Sequence, residues 1–172
     1  AQEQINEYYQ FAIDNDEFVS FNSKINLDCI YQNIRKPKYS DLIDILGLTK
    51  GTDTWNDNGE VLYKSGKKLD ELITNREDVY SYLYRKLNAK CCDNPSGQVY
   101  EIKENLRKGK YTSGRMPKEI EELLVEADVP EWYIDSMKKI RYLFPKTNLI
   151  MQLKKKMIMY FNNKDKQIQK SK

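Results

Sequence analysis

Val129-Pro130-Glu131-Trp132-Tyr133-Ile134-Asp135-Ser136-Met137-Lys138-Lys139-Ile140-Arg141-Tyr142-Leu143-Phe144-Pro145-Lys146 is the stretch whose reading decides the fold. Pro130 suits the opening of a helix, where its missing N–H leaves no bond unmade. Trp132, Tyr133, Met137, Ile140 and Phe144 then fall at helical spacing and predict a buried face. Lys138, Lys139, Arg141 and Lys146 are interleaved with them. Such a stretch can grip a nucleic-acid backbone while Tyr142 or Phe144 packs on a base. The spacing assigns the aromatics mainly to packing and the cations mainly to binding.

Outward from this stretch the same period dominates and strict alternation is rare, so the chain reads as an all-α, compact multi-helix domain. A first helix is expected over Gln2 to Ile13 and a second over Ile25 to Ile34, stopping before Pro37. Ser40 is placed to cap a short helix from Asp41 to Leu46, with Gly47 as its left-handed end. Thr49 to Gly59 reads as a loop pinned by Trp55. Thr74 and Glu77 form a capping-box pattern ahead of Val79, Tyr80, Leu83 and Leu87. Asn94-Pro95 opens a helix carrying Val99, Ile102 and Leu106, which ends at Gly109. Pro117 opens another, and the last is expected from Thr147 to Phe161 with a frayed lysine-rich tail. The expected organisation is therefore a helix and linker over 1–24, a helical domain over 25–162 and a basic tail over 163–172.

Of the 172 residues, 32% are charged, the net charge is +3, and none is histidine. Without histidine there is no Ser-His-Asp triad and no Cys-His pair. No apolar run approaches a membrane span, and the start is acidic rather than signal-like. A cytoplasmic protein without a membrane partner is the expectation. Cys91 and Cys92 are adjacent and Cys29 is distant, a spacing that fits no metal or redox motif and reads as small, partly buried thiols. Asp53 and Asp57 read as turn formers, because calcium-loop spacing is missing. No metal site and no catalytic residue is assigned.

Arg107-Lys108-Gly109-Lys110 is the sharpest electrostatic feature. It sits at a helix end, where glycine lets the chain turn and the cations converge. Arginine offers a planar fork of donors and lysine a mobile point charge, which together suit phosphates. Cations also favour helix C-termini through the macrodipole, and taken alone the motif fits that plainer account better.

Several segments resemble, in order, the replicative DNA polymerase III alpha subunit of the PolC type. They are Lys36-Pro37-Lys38-Tyr39-Ser40-Asp41-Leu42-Ile43-Asp44-Ile45-Leu46-Gly47-Leu48, then Gly51-Thr52-Asp53-Thr54-Trp55, then Leu69 to Val79, Leu106 to Lys110 and Pro130 to Lys146. The resemblance covers about Asn26 to Lys146 and implies the fingers region of a bacterial C-family polymerase. It implies that Arg107, Lys108 and Lys110 face the triphosphate of an incoming nucleotide, joined by Lys139, Arg141 and Lys146. Lys138, Lys154 and Lys155 are assigned to DNA.

Thr49-Lys50 and Thr147-Asn148 depart from the family, which has Ser-His and Ala-His at those places. Residues 88–97 also depart from it. The family's Asp-rich palm motif is absent, so Mg2+ is expected only in a full polymerase with its palm, and the chain is not expected to polymerise DNA alone. The expected function is that of a fragment or degenerate relative binding dNTP and DNA during replication, with replisome proteins as further partners. The alternative is a non-catalytic helical interaction protein, from a mobile element, that has lost nucleotide binding. A helix-turn-helix regulator is poorly supported, because no short glycine turn joins two well-patterned helices.

Overall fold

Apolar residues three and four apart produce nine α-helices and no strand among the described residues of this computed structural model, which are 1–20, 23–90 and 93–172. In chain order they are α1 (Gln2–Asp14), α2 (Asp28–Asn33), α3 (Tyr39–Lys50), α4 (Glu60–Lys64), α5 (Arg76–Ala89), α6 (Pro95–Arg107), α7 (Lys118–Glu126), α8 (Glu131–Met137) and α9 (Lys146–Lys170). The all-α expectation holds. Cys91 and Cys92 lie outside the described residues, and Cys29 is half-buried, its thiol pushed up by burial.

Two hydrophobic clusters fill the interior. The first gathers Tyr8, Tyr9 and Ala12 of α1, Leu42, Ile45 and Leu46 of α3, Trp55, and Leu149 and Leu153 of α9. The second gathers Val79, Leu83 and Leu87 of α5, Ile102 and Leu106 of α6, and Tyr133, Met137, Ile140 and Leu143. Trp55 is buried as expected, and its indole N–H donates to the Asn26 carbonyl at 2.9 Å, which pins the wide turn Trp55–Gly59.

Several expectations are corrected. First, α3 does not end at Gly47. A Cβ there would lie 2.1 Å from the Thr74 carbonyl oxygen, so this glycine admits a neighbouring backbone against the middle of a helix. Neither does Ser40 cap α3; its N-cap is Lys38, whose N–H donates to the Asp41 carboxylate at 2.8 Å.

Second, the cap of α5 is Asn75 rather than Thr74. Its side chain accepts from the Asp78 N–H at 2.9 Å, while the Thr74 hydroxyl is drawn inward to Asp44 at 2.8 Å. Third, α8 stops at Met137, so Ile140 and Phe144 do not continue its face. The Ser136 carbonyl is taken by the Asn58 amide at 3.2 Å, and the Arg141 N–H donates to the Thr52 carbonyl at 3.0 Å. The N–H groups of Arg141 and Tyr142 thus find their partner at Thr52 instead of in a helix.

Fourth, the basic tail is helical as far as Lys170. Tyr160 packs 4.5 Å, centroid to centroid, from Phe11 of α1, and Lys164 pairs with Glu7 at 2.7 Å. The second helix is also shorter than expected, running only from Asp28 to Asn33.

Asp44 is the one buried acid in this frame among the described residues, 7% exposed. Burial raises its carboxyl to about 7, Thr74 and Lys146 oppose the shift, and Asp78 and Asp41 add to it. In the unfolded chain the group releases its proton near 3.8. Between those two values the folded state binds more protons, so stability falls as pH rises through that window. Asp44→Asn keeps an acceptor for Thr74 and removes the charge. It is expected to raise stability by about 2 kcal/mol at pH 8 and to change little at pH 4, within the ceiling of about 4 kcal/mol set by the shift. Urea unfolding at the two pH values checks this.

Candidate phosphate-binding site

Helix α6 closes on a turn that its own sequence dictates. The N–H groups of Gly109 and Lys110 donate to the Leu106 and Asn105 carbonyls, each at 3.0 Å, and Gly109 takes the left-handed conformation at φ +73°. A Cβ at Gly109 would lie 2.6 Å from the Arg141 carbonyl oxygen, so glycine also permits contact with the 141–143 segment. The Leu143 N–H donates to the Arg107 carbonyl at 3.3 Å. On the other side of that segment, Thr52 and Tyr142 pair as an isolated antiparallel bridge, with the Thr52 N–H donating at 2.9 Å. Three stretches remote in sequence, around Thr52, Arg107 to Lys110, and Arg141, therefore meet.

Their side chains are not equivalent. Lys108 and Lys110 are exposed, and neither ammonium has an ion-pair partner among the described residues. Arg107 is turned back onto Glu104, three residues earlier, and holds that carboxyl below its usual range. Arg141 is 70% exposed at its side chain and pairs with Asp53 at 3.1 Å. Lys139 donates to the Asp57 carbonyl at 2.8 Å, and Lys138 pairs with Glu121 at 2.8 Å. Asp53 and Asp57 both hold positive φ, as turn formers do. Lys138, Lys139 and Arg141 line one cleft of about 230 Å³ with Asp53, Asp57 and Thr112.

The other expected cations lie elsewhere. Lys146 opens α9 and belongs to a separate network: its ammonium binds Asp78 at 2.8 Å, which raises its pKa, and its N–H donates to Glu77 at 3.0 Å. Lys154 and Lys155 are exposed on α9, about two turns further along. Arg115 is occupied within the turn, donating to the Gly109 carbonyl at 3.0 Å and to the Thr112 carbonyl at 2.9 Å.

Sequence reasoning missed Arg76. Its Nε donates to the Leu143 carbonyl at 2.5 Å, its Nη2 to the Tyr142 hydroxyl at 2.8 Å, and its backbone N–H to the Phe144 carbonyl at 3.1 Å. A signal was present. A cation in the first turn of a helix opposes the macrodipole, and a tertiary partner is what such a residue needs. Among the described residues, no group of three or more His, Cys, Asp or Glu is placed to hold a metal ion. Nor is any helix there long and apolar enough to cross a membrane.

The geometry defines an all-helical domain presenting a cationic turn. No family model matches the chain. In sequence it is similar to the DNA polymerase III PolC-type of Lactococcus lactis, 41% identical over 119 residues that make up 66% of this chain and 7% of that protein. The PolC-type enzyme of Ureaplasma parvum is 40% identical over 66% of the chain, and that of Clostridium perfringens 39% over 67%. The chain is thus a partial relative of PolC-type DNA polymerase III, and it spans about 7% of the length of these relatives.

Proposed function

We propose that this chain is a fingers-like fragment or degenerate relative of a PolC-type polymerase that binds phosphates of an incoming dNTP and of the DNA backbone during replication. The observation that carries the reading is the seating of the Arg107–Lys110 turn against Arg141 through Gly109, with Lys108 and Lys110 unpaired at its rim. Two free ammonium groups, with the partly engaged Arg141 guanidinium nearby in the chain's fold, offer positive charge to phosphoryl oxygens without desolvating a buried ion. Lys139 and Arg141 extend the same surface, and Arg107 reaches phosphate only by leaving Glu104. Lys138, Lys154 and Lys155 contribute to longer DNA.

In this reading catalysis belongs to a palm whose carboxylates hold Mg2+, so the chain alone binds but does not polymerise. A cytoplasmic replication setting goes with it, as do contacts to replisome proteins. Fluorescence anisotropy with primer–template DNA over a salt series tests the binding. Affinity is expected to fall steeply with salt, and Lys108→Ala with Lys110→Ala together to flatten the log–log slope by about 2. Weak binding with a slope indifferent to that double substitution would leave a helical interaction protein instead.

A further inference from the structure

Asp78, Tyr82 and Arg85 recur at i, i+4 and i+7, and so share one face of α5. That face borders a cleft of about 390 Å³, walled elsewhere by Leu72, Ile73 and Trp132. None of Arg107, Lys108, Lys110, Lys139 or Arg141 lines it, so it is separate from the basic turn. Its volume falls within the range of ligand-binding pockets.

The aromatic wall is already fixed. Tyr82 stacks on Tyr133 at 4.3 Å between centroids, Trp132 meets Tyr133 edge-to-face at 5.8 Å, and Lys67 lies 4.6 Å from the Trp132 centroid. A rigid wall lowers the ordering cost of binding. Two donors on it lack partners. Tyr133 is 3% exposed and lines the cleft, yet its hydroxyl makes no hydrogen bond among the described residues. Burial pushes its pKa up, and the nearby Arg85 charge opposes part of the rise. Arg85 is exposed and likewise makes no hydrogen bond or ion pair among the described residues. A guanidinium beside a phenol O–H suits a carboxylate. The acids at the rim leave it available: Asp78 is held by Lys146 and Asn75, both at 2.8 Å, and Glu71 accepts the Lys68 N–H at 2.6 Å. Asp70 is exposed, where water screens it.

The main chain adds a third element. Leu72 (φ −77°, ψ 156°) and Asn75 (φ −158°, ψ 163°) are extended. Ile73 between them is 4% exposed, and among the described residues its N–H and C=O have no partner, which buried main-chain groups ordinarily do. One residue of an extended chain can exchange both bonds with one residue of an added strand. The stretch is short, stopped by the turn Leu69–Glu71 and by α5, so it suits the end of a chain better than a strand passing through.

We propose that this cleft binds the C-terminal residues of a partner protein as an extended strand. The strand's backbone pairs with Ile73, and its last apolar side chain lies against Tyr82 and Trp132. Its terminal carboxylate takes Arg85 and the Tyr133 hydroxyl.

The probe is the peptide acetyl-Thr-Val-Thr-Leu, as the free acid and as the C-terminal amide, titrated into the isotope-labelled chain and followed by NMR. The free acid is expected to shift the Ile73 and Arg85 amide signals saturably and to slow hydrogen exchange at Ile73. It should bind about tenfold more tightly than the amide, the worth of one charge-assisted hydrogen bond. Arg85→Gln, at an exposed position, brings acid and amide level. Equal affinity of the two forms for the unaltered chain overturns the proposal, as does the lack of any saturable shift. Shifts confined to Lys108 and Lys110 overturn it too, since the carboxylate would then only replace a phosphate. The comparison of acid with amide needs no variant, and its failure leaves the phosphate reading untouched.

Discussion

Gly47→Ala is expected to destabilise the chain by about 3 kcal/mol or more, near or beyond the upper end of overpacking penalties. The sign is what makes the experiment useful. Gly47 lies inside α3, and alanine in a helix interior ordinarily gains about 0.5–1 kcal/mol over glycine. Here the added methyl would sit 2.1 Å from the Thr74 carbonyl oxygen and 3.0 Å from the Thr74 Cβ. The first contact is with backbone, which cannot swing aside as a flexible side chain would. Moving Thr74 would also disturb its hydrogen bond to Asp44 and the Asn75 cap beside it. A urea melt decides between the two signs; an unchanged or higher midpoint would show that the α3–Thr74 contact is looser than described.

The second large effect is expected at Gly109→Ala. Alanine is disfavoured at φ +73°, and its methyl would lie 2.6 Å from the Arg141 carbonyl oxygen, so the turn and the 141–143 segment must part. We expect a stability loss of about 1–3 kcal/mol, as for other strained or overpacked positions. DNA affinity should fall by about tenfold beyond the loss of folded protein, since a displacement of about 1 Å in a positioning element is costly. No charge is removed. A binding loss in this variant therefore separates convergence of the cations from their number. Affinity measured on the folded fraction, and unchanged from the native protein, would mean that the turn's position is irrelevant to binding.

Much of the helical framework was legible because short-range chemistry sets it. Tyr8, Tyr9 and Ala12, or Val79, Leu83 and Leu87, mark buried faces by period alone, and Pro95, Pro117 and Pro130 mark helix starts. The boundaries that failed are those fixed by residues remote in sequence. Gly47 has the look of a helix end until Thr74 is placed against it. Nothing local in the 131–144 stretch says that the Arg141 and Tyr142 N–H groups will turn to Thr52 instead of continuing α8. The lysine-rich terminus looked frayed, yet Glu7 of α1 pairs with Lys164 and Tyr160 packs on Phe11.

The site divides the same way. That Arg107, Lys108 and Lys110 cluster was readable, but not which of them would be free. Arg107 lies three residues after Glu104, a separation at which helical side chains meet, so its pairing was the most predictable of these contacts. That Lys146 would join Asp78 and Glu77, and that Arg76 would hold Tyr142, depends on α5 lying beside the end of the 132–144 stretch. Periodicity carries no information about such neighbours.

The most direct measurement is a calorimetric titration of dTTP into three proteins at low salt: the native chain, Lys108→Ala with Lys110→Ala, and Lys166→Ala with Lys170→Ala. All carry the same fold in this account, and the two variants lose the same charge. Saturable binding by the native chain, retained by the pair changed on α9 and weakened at least about tenfold by the pair beside Gly109, is the predicted result. No binding by the native chain, or equal weakening in both variants, would contradict it.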